Sequence, residues 1–283
     1  MKVLISGSTG LVGKRLAAAL LAGGHEVFSA GRADFSTGVD ALAIKVSQAD
    51  VVVNLAGAPI VARWSAGYKR EILESRIQTT GMLADAIAAA KTKPRLFIST
   101  SAVGIYPDGD VFTEANGRYG QDFLAKVCTD WEAEAMKAAS HTRVIIFRLG
   151  VVLSDKGGAL SKMRLPFKLG LGGPIAGGRQ GFSWIHIDDL IKAYLFVMDK
   201  QPEGVFNLVS PEPTDNAGFT KALGKALHRP VFMPIPAFAL RLMFGEGAVT
   251  LTSGQKVKPE RLLNAGFVFE HPSIESALAD LLG

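Results

Sequence analysis

The 283-residue chain has one cysteine, Cys128. No internal disulfide can form, which predicts a reducing compartment. No apolar run reaches the ~20 residues that span a bilayer. Met1 and Lys2 lead at once into a short apolar strand and glycines, with no long hydrophobic region or small-residue cleavage site. These absences predict a cytoplasmic protein with no membrane partner. Lys and Arg number 31 against 26 Asp and Glu, a net charge of +5, yet they gather only in pairs such as Lys14-Arg15 and Lys69-Arg70. Nucleic-acid binding calls for a basic stripe, and the linear sequence shows none. The mild surplus suits an anionic small molecule. The five histidines, the cysteine and the acids show no metal-ligand spacing. There are no internal repeats and no low-complexity tract. What remains is an ordinary globular composition, 48% hydrophobic and 20% charged, long enough for one large domain or a domain with a smaller partner.

Along the chain, strands alternate with helices. "KVLISGSTGLVGKRLAAALLAGGHEVFSAGR" reads strand, glycine turn, helix, strand: Leu11, Leu16, Leu20 and Leu21 recur at helical spacing and Gly23-Gly24 ends the helix. "ADVVVNLAG" is β-branched and apolar throughout, as a strand covered on both faces should be. A long helix follows over roughly 68–91, then a strand in "RLFISTSA", a helix in "FLAKVCTDWEAEAMKAA" and one strand in "RVIIFRLGVVL". Between Arg32 and Asp50 there is room for a short helix and little strand. Alternation of this kind predicts an α/β fold, a Rossmann-type doubly wound parallel sheet with right-handed crossovers. After residue 150 the texture becomes glycine-dense and basic. "FSWIHIDDLIKAYLFVM" reads as a strand and helix returning to the sheet, and "GVFNLVS" and "VFMPIP" as short strands of the remainder. The expected organisation is a nucleotide-binding domain over 1–150, with 182–200 returning to it. A smaller C-terminal, substrate-capping domain would take 151–181 and 201–283.

Gly7, Gly10 and Gly13 form G-x-x-G-x-x-G between a strand and a helix. The first permits a tight turn, the second lets backbone approach a pyrophosphate, and the third lets helix and strand pack closely. The helix start then offers free N–H groups and a partial positive charge to the phosphates. Gly7, Thr9, Gly10, Leu11, Val12 and Gly13 are therefore the candidate phosphate contacts. At the end of the second strand an NAD site wants Asp or Glu; this chain has Gly31 and Arg32. A guanidinium suits a 2′-phosphate, which predicts NADP. Asp34, slightly further on, is close enough to serve a ribose and keeps NAD as the alternative.

"GSTGLVG", "NLAG" at 54–57, "STSAVGIY" at 99–106 and "WIHIDDL" resemble the extended short-chain dehydrogenase/reductase superfamily. "GAPIVARW", "EILESRIQTT", "VVLSDKGGAL", "PFKLGLGGPIAGGRQGFSWIHIDDL" and the later "GQKVKPERLLNAGFVF" narrow the resemblance to YfcH-type epimerase-family proteins. These are SulA-family nucleoside-diphosphate-sugar epimerase-like, atypical members of that superfamily. The resemblance spans nearly the whole chain and implies fold and cofactor more firmly than reaction. It implies that Leu55, Ala56 and Gly57 line the nucleotide path, that Ser99 lies below the nicotinamide, and that Gly150 and Val151 lie near the ring.

In that superfamily a Tyr gives the proton, a Lys four residues on lowers its pKa and holds the ribose, and a Ser orients the substrate oxygen. Ser101 fills the serine role. The Tyr-x-x-x-Lys pair is broken. Counting back from Lys126 gives Asp122, and anchoring on Trp131-Glu132 places Leu124 and Cys128 at the two positions. Tyr106 and Tyr119 remain as candidate proton donors, equally plausible as packing aromatics, and Lys126 as the candidate lysine. Trp64, Arg76, Arg179 and Trp184 are candidate substrate contacts, a ring to stack on and guanidinium groups for a carboxylate or phosphate. His186 reads as structural, beside Asp188 and Asp189. Two functions follow: an NADP-dependent oxidoreductase or epimerase-like enzyme acting on a small molecule, or an NADP(H)-binding sensor or scaffold without turnover.

Overall fold

The structure, a computed structural model, describes residues 1–200 and 202–283. Its first half runs β1 (Lys2–Ser6), α1 (Leu11–Ala22), β2 (Glu26–Ala30), α2 (Arg32–Ser36), α3 (Val39–Val46), β3 (Val51–Asn54), α4 (Ala66–Ala89), β4 (Leu96–Ala102), β5 (Val111–Phe112), α5 (Phe123–Met136) and β6 (Arg143–Leu149). Then come β7 (Val151–Ser154), α6 (Gly158–Lys168), β8 (Gly181–Phe182), β9 (Trp184–His186), α7 (Ile187–Lys200) and β10 (Gly204–Leu208). The chain finishes with β11 (Thr214–Asp215), α8 (Asn216–Ala226), α9 (Ala237–Phe244), α10 (Val249–Thr252), β12 (Lys256–Val257), α11 (Glu260–Asn264) and α12 (Ile274–Leu282).

Six strands form one parallel sheet in the order β10-β6-β4-β3-β1-β2. The order reverses between β1 and β3, and the crevice at such a switch point, beyond the carboxyl ends of the strands, is where open α/β sheets bind ligands. Both faces are covered. In β1, Val3 and Ile5 belong to the core with Leu16, Leu20, Phe147 and Tyr194, while Leu4 joins the opposite core with Leu42, Leu83, Ile87 and Phe97. This double burial is why the strands read as unbroken apolar runs.

Four sequence expectations change. The segment between Arg32 and Asp50 holds two short helices and no strand. "RVIIFRLGVVL" is two strands, β6 and β7, separated at Gly150. A Cβ there would lie 2.6 Å from the Ser183 carbonyl oxygen, so two chain segments cross closely at this residue. β7 pairs in parallel with β9 in a separate two-stranded sheet. "VFMPIP" is not a strand: Pro234 and Pro236 lack the N–H a ladder needs, and a lone bridge joins Ile235 to Ile175. Finally, Gly204–Leu208 completes the edge of the main sheet beside β6, so the domain boundary expected at 201 assigned it to the wrong unit. Hydrophobic alternation marks a strand but not its neighbour.

Candidate active site

The opening βα unit is shaped by backbone crowding. Gly7 has φ +75°, and a Cβ on it would lie 2.8 Å from the Leu55 carbonyl. A Cβ on Gly13 would lie 2.3 Å from Gly7 O. Helix α1 begins at Gly10, a residue with no side chain to cap it. The Gly10 N–H turns back to Gly7 O at 3.1 Å, and the first helical bond runs from Lys14 N to Gly10 O. The N–H groups of Leu11, Val12 and Gly13 therefore precede the ladder, as a diphosphate site requires. Thr9 is exposed beside them. Leu55, Ala56 and Gly57 follow β3, with Leu55 N bonded to Ser6 O. Ser99, at the carboxyl half of β4, has a buried hydroxyl with no protein partner among the described residues, an orphaned polar atom of the kind a bound cofactor satisfies. These features fit a dinucleotide.

The ribose end separates the two candidate side chains. Arg32, the first residue of α2, is exposed. Asp34 is engaged: Oδ2 accepts the Gly31 N–H at 2.7 Å and Oδ1 pairs with Lys45 at 2.6 Å. The Lys45 bond first, then that amide, hold the carboxyl below its usual range. Its role is to cap α2.

At the other end of the crevice a polar network runs through the fold. Ser101 Oγ donates to Glu132 Oε1 at 2.7 Å. Arg148, buried near the end of β6, grips the same carboxylate through Nε and Nη2, both at 2.8 Å. It also donates to the hydroxyl oxygens of Tyr106 at 2.8 Å and Tyr119 at 2.9 Å. Tyr106 passes its own proton to Asn207 Oδ1 at 3.0 Å, and the Asn207 N–H donates to Glu114 at 2.7 Å. Burial works against the Arg148 charge, but the bidentate Glu132 contact outweighs it and holds the guanidinium above its ordinary pKa. Burial pushes the Tyr106 phenol and the Glu114 carboxyl up.

Ser101, Tyr106 and Tyr119 are thus brought together, but not as equals. Tyr106 is fully buried and stacked on Phe112 at 5.4 Å. Tyr119 is 51% exposed, and its hydroxyl accepts from Arg148. Lys126 is not brought to the cluster: it is exposed and paired with Asp130 at 3.0 Å. Ala125, Cys128, Glu132 and Ala135 take the inner face of α5 at spacings of three and four, which turns Lys126 outward. Asp122 is the N-cap, accepting from Ala125 N at 3.0 Å. Cys128 faces Ser101 and the Ala102 backbone; burial first, then the Glu132 carboxylate, push its thiol up to about 12, so it is a neutral thiol. Leu124 lies against Gly104. Leu124 and Cys128 accordingly occupy the inner-facing positions of the missing pair.

The substrate candidates divide. Arg76 reaches inward from α4, donating to Ala58 O at 2.9 Å and Ile72 O at 3.0 Å, lying over the Trp131 ring and against Gly57. Among the described residues no carboxylate pairs with it, and burial lowers its pKa. Trp64 is buried, gives its N–H to Ile60 O and meets Phe123 edge to face at 5.4 Å. It is packed rather than presenting a free stacking face, yet one edge lines a cavity of 560 Å³ with Lys69, Asp122, Phe123, Leu124 and Arg241. Trp184 belongs to the main core, where β9 turns it inward, and among the described residues its Nε1 is buried without a partner. Arg179 is exposed on the loop before β8. Gly150 serves the chain crossing described above.

Sequence reasoning missed Arg148, Glu114 and Asn207, and used Glu132 only as a marker. One signal was available: Arg148 interrupts an apolar strand of a doubly covered sheet, where an unpaired charge is not tolerated. His186, His271 and Asp280 bring ligand-type atoms within 4.8 Å. Yet His186 Nδ1 accepts the Asp188 N–H at 3.1 Å, so Nε2 keeps the proton, facing Asp280 at 3.2 Å. A ring so engaged has no lone pair left for a metal.

The profile of the NAD dependent epimerase/dehydratase family matches residues 3–208, and that of a domain of unknown function, DUF1731, matches residues 235–281. The chain is 39% identical over 292 residues to the epimerase family protein SDR39U1 of Mus musculus, covering all of both chains. The crystal structure of human SDR39U1 (isoform 2) with NADPH superposes with a TM-score of 0.92 at 36% identity, over 100% of this chain and 99% of that one. A nucleoside-diphosphate sugar epimerase from Corynebacterium glutamicum gives 0.80 at 35% identity, over 100% of this chain and 58% of the other.

Proposed function

The chain belongs to the NAD dependent epimerase/dehydratase family, and on that premise we propose that it binds NADP(H) and transfers hydride at a carbonyl or carbinol carbon of a small molecule. The YfcH-type branch and a cytoplasmic setting are part of the same reading. The cofactor choice rests on Asp34: with both oxygens engaged it does not offer a ribose acceptor, while Arg32 stands free to meet a 2′-phosphate. The NADPH bound to the human relative supports this. When bound, the nicotinamide supplies or accepts hydride.

The chain's own part is the proton. One observation carries the assignment: the Tyr106 proton is given to Asn207, whereas Tyr119 accepts from Arg148 and has its own proton free. Tyr119 is therefore the acid/base, donating to the developing alkoxide. The Arg148 cation, held by Glu132, steadies the phenolate that forms. Ser101, whose proton goes to Glu132, offers only its oxygen lone pairs until that bond is exchanged. Arg76 places a positive charge without a carboxylate partner, among the described residues, beside Gly57 on the nucleotide path.

Fluorescence titration with NADPH and NADH, followed by absorbance with a carbonyl panel, tests the reading. NADPH should bind more tightly. Tyr119→Phe should lower kcat by ~10²–10⁴ with NADPH affinity kept, while Tyr106→Phe leaves kcat within a few-fold. The reverse pattern refutes the proton assignment. The outward Lys126 and the neutral Leu124 and Cys128 favour a second reading, a sensor without turnover. Tight NADPH binding with no oxidation across the panel would establish it.

A further inference from the structure

Two stretches of the chain contain no acidic residue. Residues 156–187 carry Lys156, Lys162, Arg164, Lys168 and Arg179; residues 216–245 carry Lys221, Lys225, Arg229 and Arg241. Nine of the 31 Lys and Arg fall in them, and all 26 Asp and Glu fall elsewhere, so the rest of the chain is net acidic. The basic surplus is therefore concentrated, although no run of sequence displays it.

The fold joins the two stretches. Ile235 N donates to Pro174 O and Ala176 N to Ile235 O, both at 2.9 Å. The Arg229 guanidinium donates to Lys168 O at 2.9 Å. Where they meet, large apolar side chains face solvent: Leu165, Leu169, Phe232, Phe238, Leu242 and Met243 are each 63–77% exposed. Leu165 and Leu169 are four apart at the end of α6, as are Phe238 and Leu242 on α9, so each pair shares a helix face. Arg63 adds a further cation, donating to Leu242 O at 2.8 Å. The acid next to this region, Glu246, is paired with Lys69 at 2.7 Å.

We propose that this face, the end of α6 with residues 229–243, docks on an anionic lipid surface. Apolar tips among Lys and Arg are the composition of an interfacial membrane contact, and clustered exposed apolar side chains mark interaction sites. A second copy of the chain is disfavoured, since two such faces meet with like charge. Nucleic acid could stack on Phe232 and Phe238 but gives no use to the four exposed Leu and Met side chains that make up most of the patch. The sequence expectation of no membrane partner rested on the lack of a spanning run, and a surface contact needs none.

The test is co-sedimentation of the full chain with sucrose-loaded vesicles of phosphatidylcholine alone or with about one-third phosphatidylserine. Binding should require the anionic lipid and weaken with salt. Lys162→Glu with Lys168→Glu, and separately Phe238→Ser with Leu242→Ser, should each reduce binding about tenfold or more. Both pairs alter exposed side chains on different helices; unchanged thermal unfolding and NADPH binding show that each remains folded. Absence of binding to anionic vesicles, equal binding to both lipids, or undiminished binding by both double variants overturns the proposal. Retention on poly-glutamate beads with no vesicle binding overturns it in favour of an acidic protein partner. Concentration-dependent dimers lost in the Phe238→Ser/Leu242→Ser variant, again without vesicle binding, overturn it in favour of self-association.

Discussion

The two ends of the crevice are built from different materials. The glycine turn of the first βα unit is made of backbone: free N–H groups, three missing Cβ atoms and an uncapped helix start, all within seven residues. The end proposed for acid/base work is made of side chains from Ser101, Tyr106, Tyr119, Glu132, Arg148 and Asn207, gathered from three strands of the main sheet, one helix and the loops between. The first end is held by close backbone contacts and needs no side-chain partner. The second depends on every partner, because each buried polar group leans on the next.

That contrast is broken most forcefully at Arg148. Arg148→Met leaves the buried Glu132 charge without its partner and should cost roughly 3–5 kcal/mol in urea unfolding; Arg148→Met with Glu132→Leu should recover most of it. If the single variant is as stable as the parent, the network does not hold the fold. At the backbone end, Gly13→Ala puts a methyl against Gly7 O and should weaken NADPH binding roughly tenfold or more with a smaller effect on unfolding. Equal loss at both would erase the distinction. Arg32→Ala should weaken NADPH by about tenfold and leave NADH unmoved, since a charge-assisted contact is worth ~1.5–3 kcal/mol; parallel losses would remove its phosphate role.

The smallest effect concerns His186, outside both ends. Burial, then the neighbouring His271 ring, lowers its pKa in the fold. The unfolded chain therefore binds the proton more readily. Stability associated with this ring is present above its unfolded pKa of ~6.5 and is lost as the pH falls below it. His186→Asn should flatten the stability decline between neutral and mildly acidic pH, and an unchanged slope would assign the decline elsewhere.

Legibility in the sequence follows the same division. The parallel doubly wound sheet and the glycine turn were readable because each depends on residues close in the chain; Asp34 was not, because its Lys45 partner is set by the fold. The position of β10 at the sheet edge, and the split of β6 from β7 at Gly150, depend on which strand comes to lie alongside, and periodicity is silent on that. Tyr106 and Tyr119 looked equivalent in sequence; their burial and the direction of their hydrogen bonds separate them, and those bonds involve Asn207, 101 positions from Tyr106, and Arg148, 29 from Tyr119.

The neutral thiol at 128 has one more implication. Building a Tyr-x-x-x-Lys dyad on the inner face of α5 would mean Leu124→Tyr and Cys128→Lys, not a change at Asp122, which the helix needs for its start. An ammonium installed at 128 would arrive beside Arg76, already cationic and committed to two carbonyls. Putting a lysine at 128 while Arg76 stays would therefore place two like charges in the same dry corner.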